Sequence, residues 1–230
     1  MSPKSEFVAG VEAELPILLG VLPFGLIYGA LALQAGIPPT PALAMSSIVF
    51  AGSAQFVATQ LFSAGTPGAV TLLSTFVVNL RHLLYSASVA PYVQRLRPAW
   101  KWLLPYLLTD EAYVVSILHY RRGPGTREPG TDHKHWFYLG AGLTLWATWQ
   151  LSTAAGIFLG ARIPESWSLD FALPLTFMAL ALPAITDRAS TAAAVTAGVL
   201  AVVAADAPLK FGLIIAALVG IIVGLIMERT

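Results

Sequence analysis

Charged residues are scarce in this sequence, and cysteine is absent. Asp, Glu, Lys and Arg make up 11% of the 230 residues, against about 25% in an average soluble domain. A soluble protein of this length needs more charge to cover its surface, so an ordinary cytosolic enzyme is excluded. The absence of cysteine excludes a small disulfide scaffold. A net charge of +1 provides no basic surface for nucleic acid.

Motifs for catalysis and cofactor binding are also missing. The chain contains no GxSxG, HExxH or Walker phosphate loop. His133 and His135 lie close to Asp132, but no further ligand follows at a recognisable metal-site spacing. We therefore expect no cofactor, no metal site and no catalytic residues.

Apolar residues dominate the chain. Hydrophobic residues make up 57% of it, against about 45–50% in a soluble domain, and the excess needs a lipid bilayer. About 20 apolar residues span the hydrocarbon core as a helix. We predict an all-α, polytopic integral membrane helical bundle with seven or eight hydrophobic segments, some broken or re-entrant, in a single transmembrane domain over residues 1–230. The segments are residues 15–35, 41–64, 68–92, 100–120, 136–161, 169–185, 189–205 and 209–227.

The longest polar stretch, residues 121–135, is rich in Gly, Pro and charge. This composition predicts a flexible polar surface loop. Residues 1–14 carry more acid than base, so we do not expect a cleavable signal peptide. Lys and Arg divide almost evenly between the two sides of the predicted bundle, and a slight excess favours a cytoplasmic N-terminus.

Three charged residues lie in the middle of apolar segments. Arg81 is near the centre of the third segment, and Asp110 and Glu111 are near the centre of the fourth. A charge at this depth costs about 2.5 kcal/mol or more, so we expect Arg81 to pair with a carboxylate. Asn79 and His82 are placed to add hydrogen bonds. Two interpretations stay open: a structural ion pair that locks two helices, or a solvated cavity with a substrate or proton site.

The second segment contains small and polar residues at its centre. Gly52 and Ser53 lower helix stability, and Gln55 brings an amide into the bilayer. A helix broken at Gly52 and Ser53 would present free backbone N–H groups to a carboxylate. A straight helix packed through its small residues is the alternative.

Proline and glycine patterns predict further features of the helices. Pro23 and Pro174 lie early in their apolar segments and predict a helix break in each. Three pairs of glycines lie four residues apart: Gly25 with Gly29, Gly156 with Gly160, and Gly220 with Gly224. Such pairs allow helices to approach closely, either within the chain or against a second membrane chain. For contact with a second chain, Gly220 with Gly224 is the best candidate.

Several blocks of sequence, in order over residues 14–200, carry a family resemblance. They include PFG at residues 23–25, FAGSAQF at 50–56, NLRH at 79–82, TDE at 109–111 and ALPLTF at 172–177. Together these blocks resemble the AzlC-type branched-chain amino acid permeases. The resemblance implies a multi-pass exporter of valine, leucine or isoleucine in the cytoplasmic (inner) membrane. It also implies a small AzlD-type membrane subunit as partner, while a higher oligomer stays open.

An amino acid substrate would be a zwitterion with an aliphatic tail. Its carboxylate needs a cation or free N–H groups, its ammonium needs a carboxylate or carbonyls, and its tail needs an apolar pocket. We expect proton coupling through Asp110, Glu111 or His82, because desolvated groups of this kind can titrate. The predicted substrate site consists of Gly52, Ser53, Gln55, Asn79, Arg81, Asp110 and Glu111, with Phe24, Phe56 and Phe177 around the tail.

Two other functions stay open on the sequence. The chain could be a non-transporting structural or receptor subunit of a membrane complex. It could also be an intramembrane enzyme that uses His82 with Asp110. Efflux of valine with and without a partner subunit distinguishes the first from a transporter, and turnover of a labelled lipid or peptide identifies the second.

Overall fold

The computed structural model describes residues 2–122, 133–160, 185–205 and 211–228. Within these ranges the regular structure is entirely α-helical, which confirms the all-α prediction. The helices are α1 (Pro3–Gln34), α2 (Pro39–Val49), α3 (Gly52–Ser63), α4 (Gly68–Asn79), α5 (Arg81–Val93), α6 (Pro98–Tyr106), α7 (Asp110–Arg122), α8 (Lys134–Gly160), α9 (Arg188–Val203) and α10 (Phe211–Glu228).

The helices divide between two compact units. The first consists of Met1–Gln55 and Asn79–Ile163, and the second of Phe56–Val78 and Pro164–Thr230. The boundaries fall inside α3 and at the end of α4, so the chain enters the second unit twice. The prediction of a single domain over residues 1–230 stays a prediction.

The surface of the helices is apolar, as expected for a protein in lipid. Large hydrophobic side chains are extensively accessible, among them Trp102 at 83%, Leu19 at 78% and Leu151 at 71%. Exposure of many such residues to water would be unfavourable and would drive aggregation. Helix α1, with 32 residues, is long and apolar enough to cross a bilayer. The chain is a membrane protein.

The break predicted at Pro23 is wrong. Helix α1 is continuous from Pro3 to Gln34 and passes through both Pro16 and Pro23. Proline removes one backbone hydrogen bond, and in a membrane helix the packing of neighbouring helices compensates for that loss. The other predicted break, at Pro174, lies outside the described residues.

Helices α1 and α8 pack in parallel along their whole length. Gly10 approaches Phe137, Gly29 approaches Ile157 and Ala30 approaches Gly160, so residue numbers rise together on both helices. A methyl group added at Gly29 would lie 2.6 Å from the backbone N of Ile157. The Gly25–Gly29 and Gly156–Gly160 pairs therefore serve packing within the chain, one of the two roles predicted for them.

Helices α9 and α10 of the second unit form an antiparallel pair. A methyl group added at Gly220 would lie 2.8 Å from Cβ of Ala197, and one at Gly224 would lie 3.1 Å from Cβ of Ala193. The face with Gly220 and Gly224 is thus covered by α9. The prediction that this face is the best docking site for a second chain is wrong.

The predicted polar loop is shorter than its sequence suggests. Helix α7 continues to Arg122, and α8 begins at Lys134. Lys134 and Tyr120 tie these two ends together, since the Lys134 ammonium donates to the Tyr120 carbonyl at 3.2 Å. The part of the loop between them, residues 123–132, lies outside the described residues, as does nearly all of the sixth predicted segment.

Candidate functional site

The second hydrophobic segment is broken between α2 and α3, which is one of the two alternatives that its sequence left open. Phe50 adopts a left-handed conformation (φ 41°, ψ 48°) that is uncommon for a bulky side chain. Its buried ring lies 6.0 Å from the ring of Tyr106, which holds the break in place. Helix α3 begins at Gly52, and the first amides of a helix have no partner within it.

The third and fourth segments are broken where the sequence turns polar. Leu80 separates α4 from α5, so Arg81 is the first residue of α5. Residues 107–109 separate α6 from α7, which begins with Asp110 and Glu111. Thr109 caps α7 by accepting a hydrogen bond from the Ala112 amide at 3.3 Å. Acidic side chains are favourable at such a helix N-terminus.

Arg81 joins all three breaks. Its Nη1 lies 2.5 Å from Oδ2 of Asp110, and its Nη2 donates a hydrogen bond to Oγ of Ser53. The three residues are the first or second residues of α5, α7 and α3, so the starts of three half-helices meet at one guanidinium. The side chains of Arg81 and Asp110 remain 31% and 36% accessible. The ion pair predicted from the sequence is therefore present.

Further polar atoms around the Arg81–Asp110 pair are buried. Nε of Arg81, Oδ1 of Asp110 and Oδ1 of Asn79 have no hydrogen-bond partner among the described residues. Buried polar atoms are costly when unpaired, so each is available to a polar ligand. The set offers one donor and two acceptors, which suits a small dipolar solute.

Aromatic rings lie beside the Arg81–Asp110 ion pair, where α5 contacts α7. Tyr85 and Tyr113 stack with centroids 4.5 Å apart, and Tyr113 donates a hydrogen bond to Ser88 at 3.0 Å. The His82 ring lies edge-on to Tyr85 at 5.9 Å, and its Nδ1 is 3.1 Å from the Asn79 carbonyl. His82 thus sits within one turn of Arg81 and next to the stacked tyrosines.

Gln55 points into the core of the first unit. Its side chain is fully buried, and Oε1 accepts a hydrogen bond from Nε1 of Trp149 at 3.1 Å. The Trp149 ring stacks on Tyr28 with centroids 6.1 Å apart, and a methyl group at Gly52 would lie 3.0 Å from Trp149 Cη2. Gln55 and Gly52 therefore anchor the start of α3 to α1 and α8, a contact that the sequence did not predict.

The three rings of the predicted apolar pocket belong to different parts of the chain. Phe24 is half-buried on α1, next to Gly25, which packs on Ser152 of α8. Phe56 is buried on α3 and belongs to the second unit. Phe177 lies outside the described residues. A pocket formed by the three rings stays a prediction.

Sequence reasoning missed a row of acidic residues on α1. Glu6 is 6% accessible and pairs with Nε2 of His119 at 2.8 Å, and Glu14 is 0% accessible. Both precede the first predicted hydrophobic segment, residues 15–35, and their burial was not predicted. Their spacing was the available signal: Glu6, Gly10 and Glu14 lie four residues apart and continue the face of α1 that packs on α7 and α8.

Comparisons with known proteins agree with the membrane fold. The model of the family described as AzlC protein matches residues 16–163. The inner membrane protein YgaZ of Escherichia coli (strain K12) is 27% identical over 96% of this chain and 89% of its own length. The branched-chain amino acid transport protein AzlC of Bacillus subtilis (strain 168) is 24% identical over 78% and 70%. An uncharacterized membrane protein of Helicobacter pylori (strain J99) is 31% identical over 71% and 69%. No solved structure gives a significant match.

Proposed function

Because the chain belongs to the AzlC protein family, we propose that it is a secondary transporter that exports branched-chain amino acids across the cytoplasmic membrane. One relative is named for branched-chain amino acid transport. The observation that carries the proposal is the meeting of Arg81, Asp110 and Ser53 at three helix breaks. Discontinuous helices of this kind form substrate sites in secondary transporters, because half-helix ends can bind charged groups.

The substrate's charges match the polar atoms at this site. The carboxylate would bind Nε of Arg81 and the first amides of α3 at Gly52 and Ser53. The ammonium would bind Oδ1 of Asp110 and Oδ1 of Asn79, which have no other partner among the described residues. Glu111, next to Asp110, adds negative charge, and Gln55 fixes the start of α3. Each interaction replaces a hydrogen bond to water with one to the protein.

The aliphatic tail would lie among Phe24, Phe56 and Phe177. One methylene in an apolar pocket is worth about 1–3 kcal/mol, or roughly 10- to 200-fold. We therefore expect valine, leucine and isoleucine all to be carried, with preferences inside that range. Glutamate and lysine should be excluded, since their side-chain charge would enter the apolar pocket without a partner.

Amino acid counterflow in proteoliposomes tests the proposal. Vesicles with the purified chain, with and without its partner, are loaded with unlabelled valine and diluted into labelled valine. We expect transient accumulation of label, competed by leucine and isoleucine and not by glutamate or lysine. Empty vesicles are the control. Absence of counterflow with every amino acid tested would refute the transporter.

Export against a gradient needs an energy source, and we propose the proton gradient. The chain has no motif for ATP binding. Asp110, Glu111 and His82 are titratable groups at or beside the Arg81 site. Protonation of Asp110 would weaken its ion pair with Arg81 and so link proton binding to substrate binding. An equal valine flux with and without an imposed pH gradient would exclude this coupling.

The parallel packing of α1 and α8 supports a multi-pass topology. If α1 crosses the membrane, the chain must return to the starting side before α8 begins, and so makes an odd number of crossings between them. Three crossings fit residues 39–63, 68–93 and 98–122, each long enough to span about 30 Å as two half-helices.

A small AzlD-type membrane subunit is the proposed partner. We expect co-expression of the two chains to raise valine efflux from cells above that with either chain alone. Affinity purification of this chain should recover the small subunit from detergent extracts. Equal efflux with and without the small subunit would indicate that this chain transports unaided.

A further inference from the structure

Glu14 is the most deeply buried carboxyl group on α1. Its side chain is 0% accessible, and neither carboxyl oxygen has a hydrogen-bond partner among the described residues. An ionised carboxylate without a partner is very costly in such a site, so the neutral acid is the stable form. The matched residue Glu12, half a turn away on the same helix, is exposed.

A second carboxylate, Glu111, stands beside Asp110 in the first turn of α7, which packs on α1. The other helices packed on α1 contribute little charge at this level. Helix α2 contains no titratable residue, and the titratable groups of α8 are Lys134, His135 and Tyr138, all within its first five residues.

A titratable contact lies toward the start of α1. Glu6 pairs with His119 at 2.8 Å, and the His119 ring stacks on Phe137 with centroids 3.9 Å apart. Glu6 and Glu14 are eight residues apart on α1, and His119 and Glu111 are eight apart on α7. Eight residues of helix span about 12 Å. Counted from the Glu6–His119 contact, Glu14 and Glu111 therefore lie at a similar depth on these two antiparallel helices, and Glu111 directly follows Asp110 in the sequence.

We propose that Glu14 is a further proton-binding residue of this transporter, and that the Glu6–His119 pair lies between it and the membrane face where α1 begins. The proposal rests on the proposed function. In the step it describes, the O–H bond of Glu14 breaks when the helices that cover it move apart, and the proton passes to the water that enters. Closure around Glu14 requires a proton to return from water to the carboxylate, because the ionised form is costly in the closed structure. Each cycle of opening and closing is thereby coupled to one proton.

The test compares Glu14→Gln with Glu12→Gln in proteoliposomes. Two fluxes are measured for each protein: valine counterflow, which needs no net proton transfer, and valine accumulation driven by an imposed pH gradient. We expect the ratio of driven flux to counterflow to fall about tenfold or more in Glu14→Gln and to stay at the wild-type value in Glu12→Gln. A purely structural role would lower both fluxes together and leave the ratio unchanged.

A second measurement needs neither transport nor a variant. A hydrophobic carbodiimide reacts with protonated carboxyl groups in apolar surroundings, and mass spectrometry locates the adduct. In the wild-type chain we expect labelling of Glu14, stronger as the pH falls, and none of Glu12. If Glu14→Gln does not insert into the membrane, this labelling shows by itself whether Glu14 binds a proton.

The outcomes separate the two proposals. Wild-type counterflow with an unchanged flux ratio in Glu14→Gln would overturn the role of Glu14 and leave the transporter intact. Absence of counterflow in the wild type would refute the proposed transport function. Carbodiimide labelling would then be the test of whether Glu14 binds a proton. Absence of an adduct on Glu14 would overturn the site.

Discussion

Replacing Arg81 with alanine should reduce valine counterflow by about 10- to 100-fold. The guanidinium bonds Asp110 and Ser53 and presents a free Nε at the proposed carboxylate site. A hydrogen bond to a charged group is worth about 1.5–3 kcal/mol, and 1.4 kcal/mol corresponds to tenfold in binding. Asp110→Asn should have an effect of the same order through the ammonium. The assay is counterflow in proteoliposomes, normalised to inserted protein.

Controls distinguish a substrate site from a structural ion pair. Arg95→Ala removes an exposed arginine and should leave counterflow unchanged. The double variant Arg81→Met with Asp110→Leu removes both charges at once, which a purely structural pair tolerates. We expect this variant to insert and to remain inactive. Recovery of transport in it would favour the structural alternative.

Replacing Gly29 with alanine should destabilise the protein by about 1–3 kcal/mol, because the added methyl group overlaps α8. That group would meet the backbone N of Ile157 at 2.6 Å and the Gly156 carbonyl carbon at 2.9 Å. Backbone atoms cannot move aside as a side chain can, so α1 and α8 must separate. For a chain of this length, we expect a melting temperature lower by about 2–12 °C in detergent.

The matched control is Gly20→Ala on the same helix. A methyl group there meets no atom within 4 Å among the described residues, and Gly20 is exposed. This variant should melt at or slightly above the wild-type temperature, since alanine favours helix over glycine. An equal loss of stability in both variants would mean that the contact with α8 does not explain the effect.

The helix breaks were predictable because polar residues interrupt apolar runs. Gly52 and Ser53, Arg81, and Asp110 each stand where an uninterrupted helix would be unstable or would place a charge in lipid, and a break lies at each of them. The Arg81–Asp110 pair was predictable for the same reason, since each charge needs the other. Composition and periodicity were sufficient for these features.

The burial of Glu6 and Glu14 was not predictable in the same way. Charged residues before an apolar segment ordinarily lie in water. Here Glu6 pairs with His119, which lies 113 residues further along the chain, and Glu14 is fully buried. The continuity of α1 through Pro23 also depends on a distant helix. The sequence around Glu6, Glu14 and Pro23 does not indicate which distant residues pack on them.

Sequence alone was enough to identify a helical membrane protein, its broken segments and the charges that meet at them. The reason is that a bilayer penalises charge and unpaired backbone so strongly that few local arrangements are tolerated. The fold was needed to place α1 parallel to α8, to bury Glu14 and to turn Gln55 toward Trp149. These features arise from close contact between helices far apart in the chain, and contact of that kind depends on three-dimensional packing.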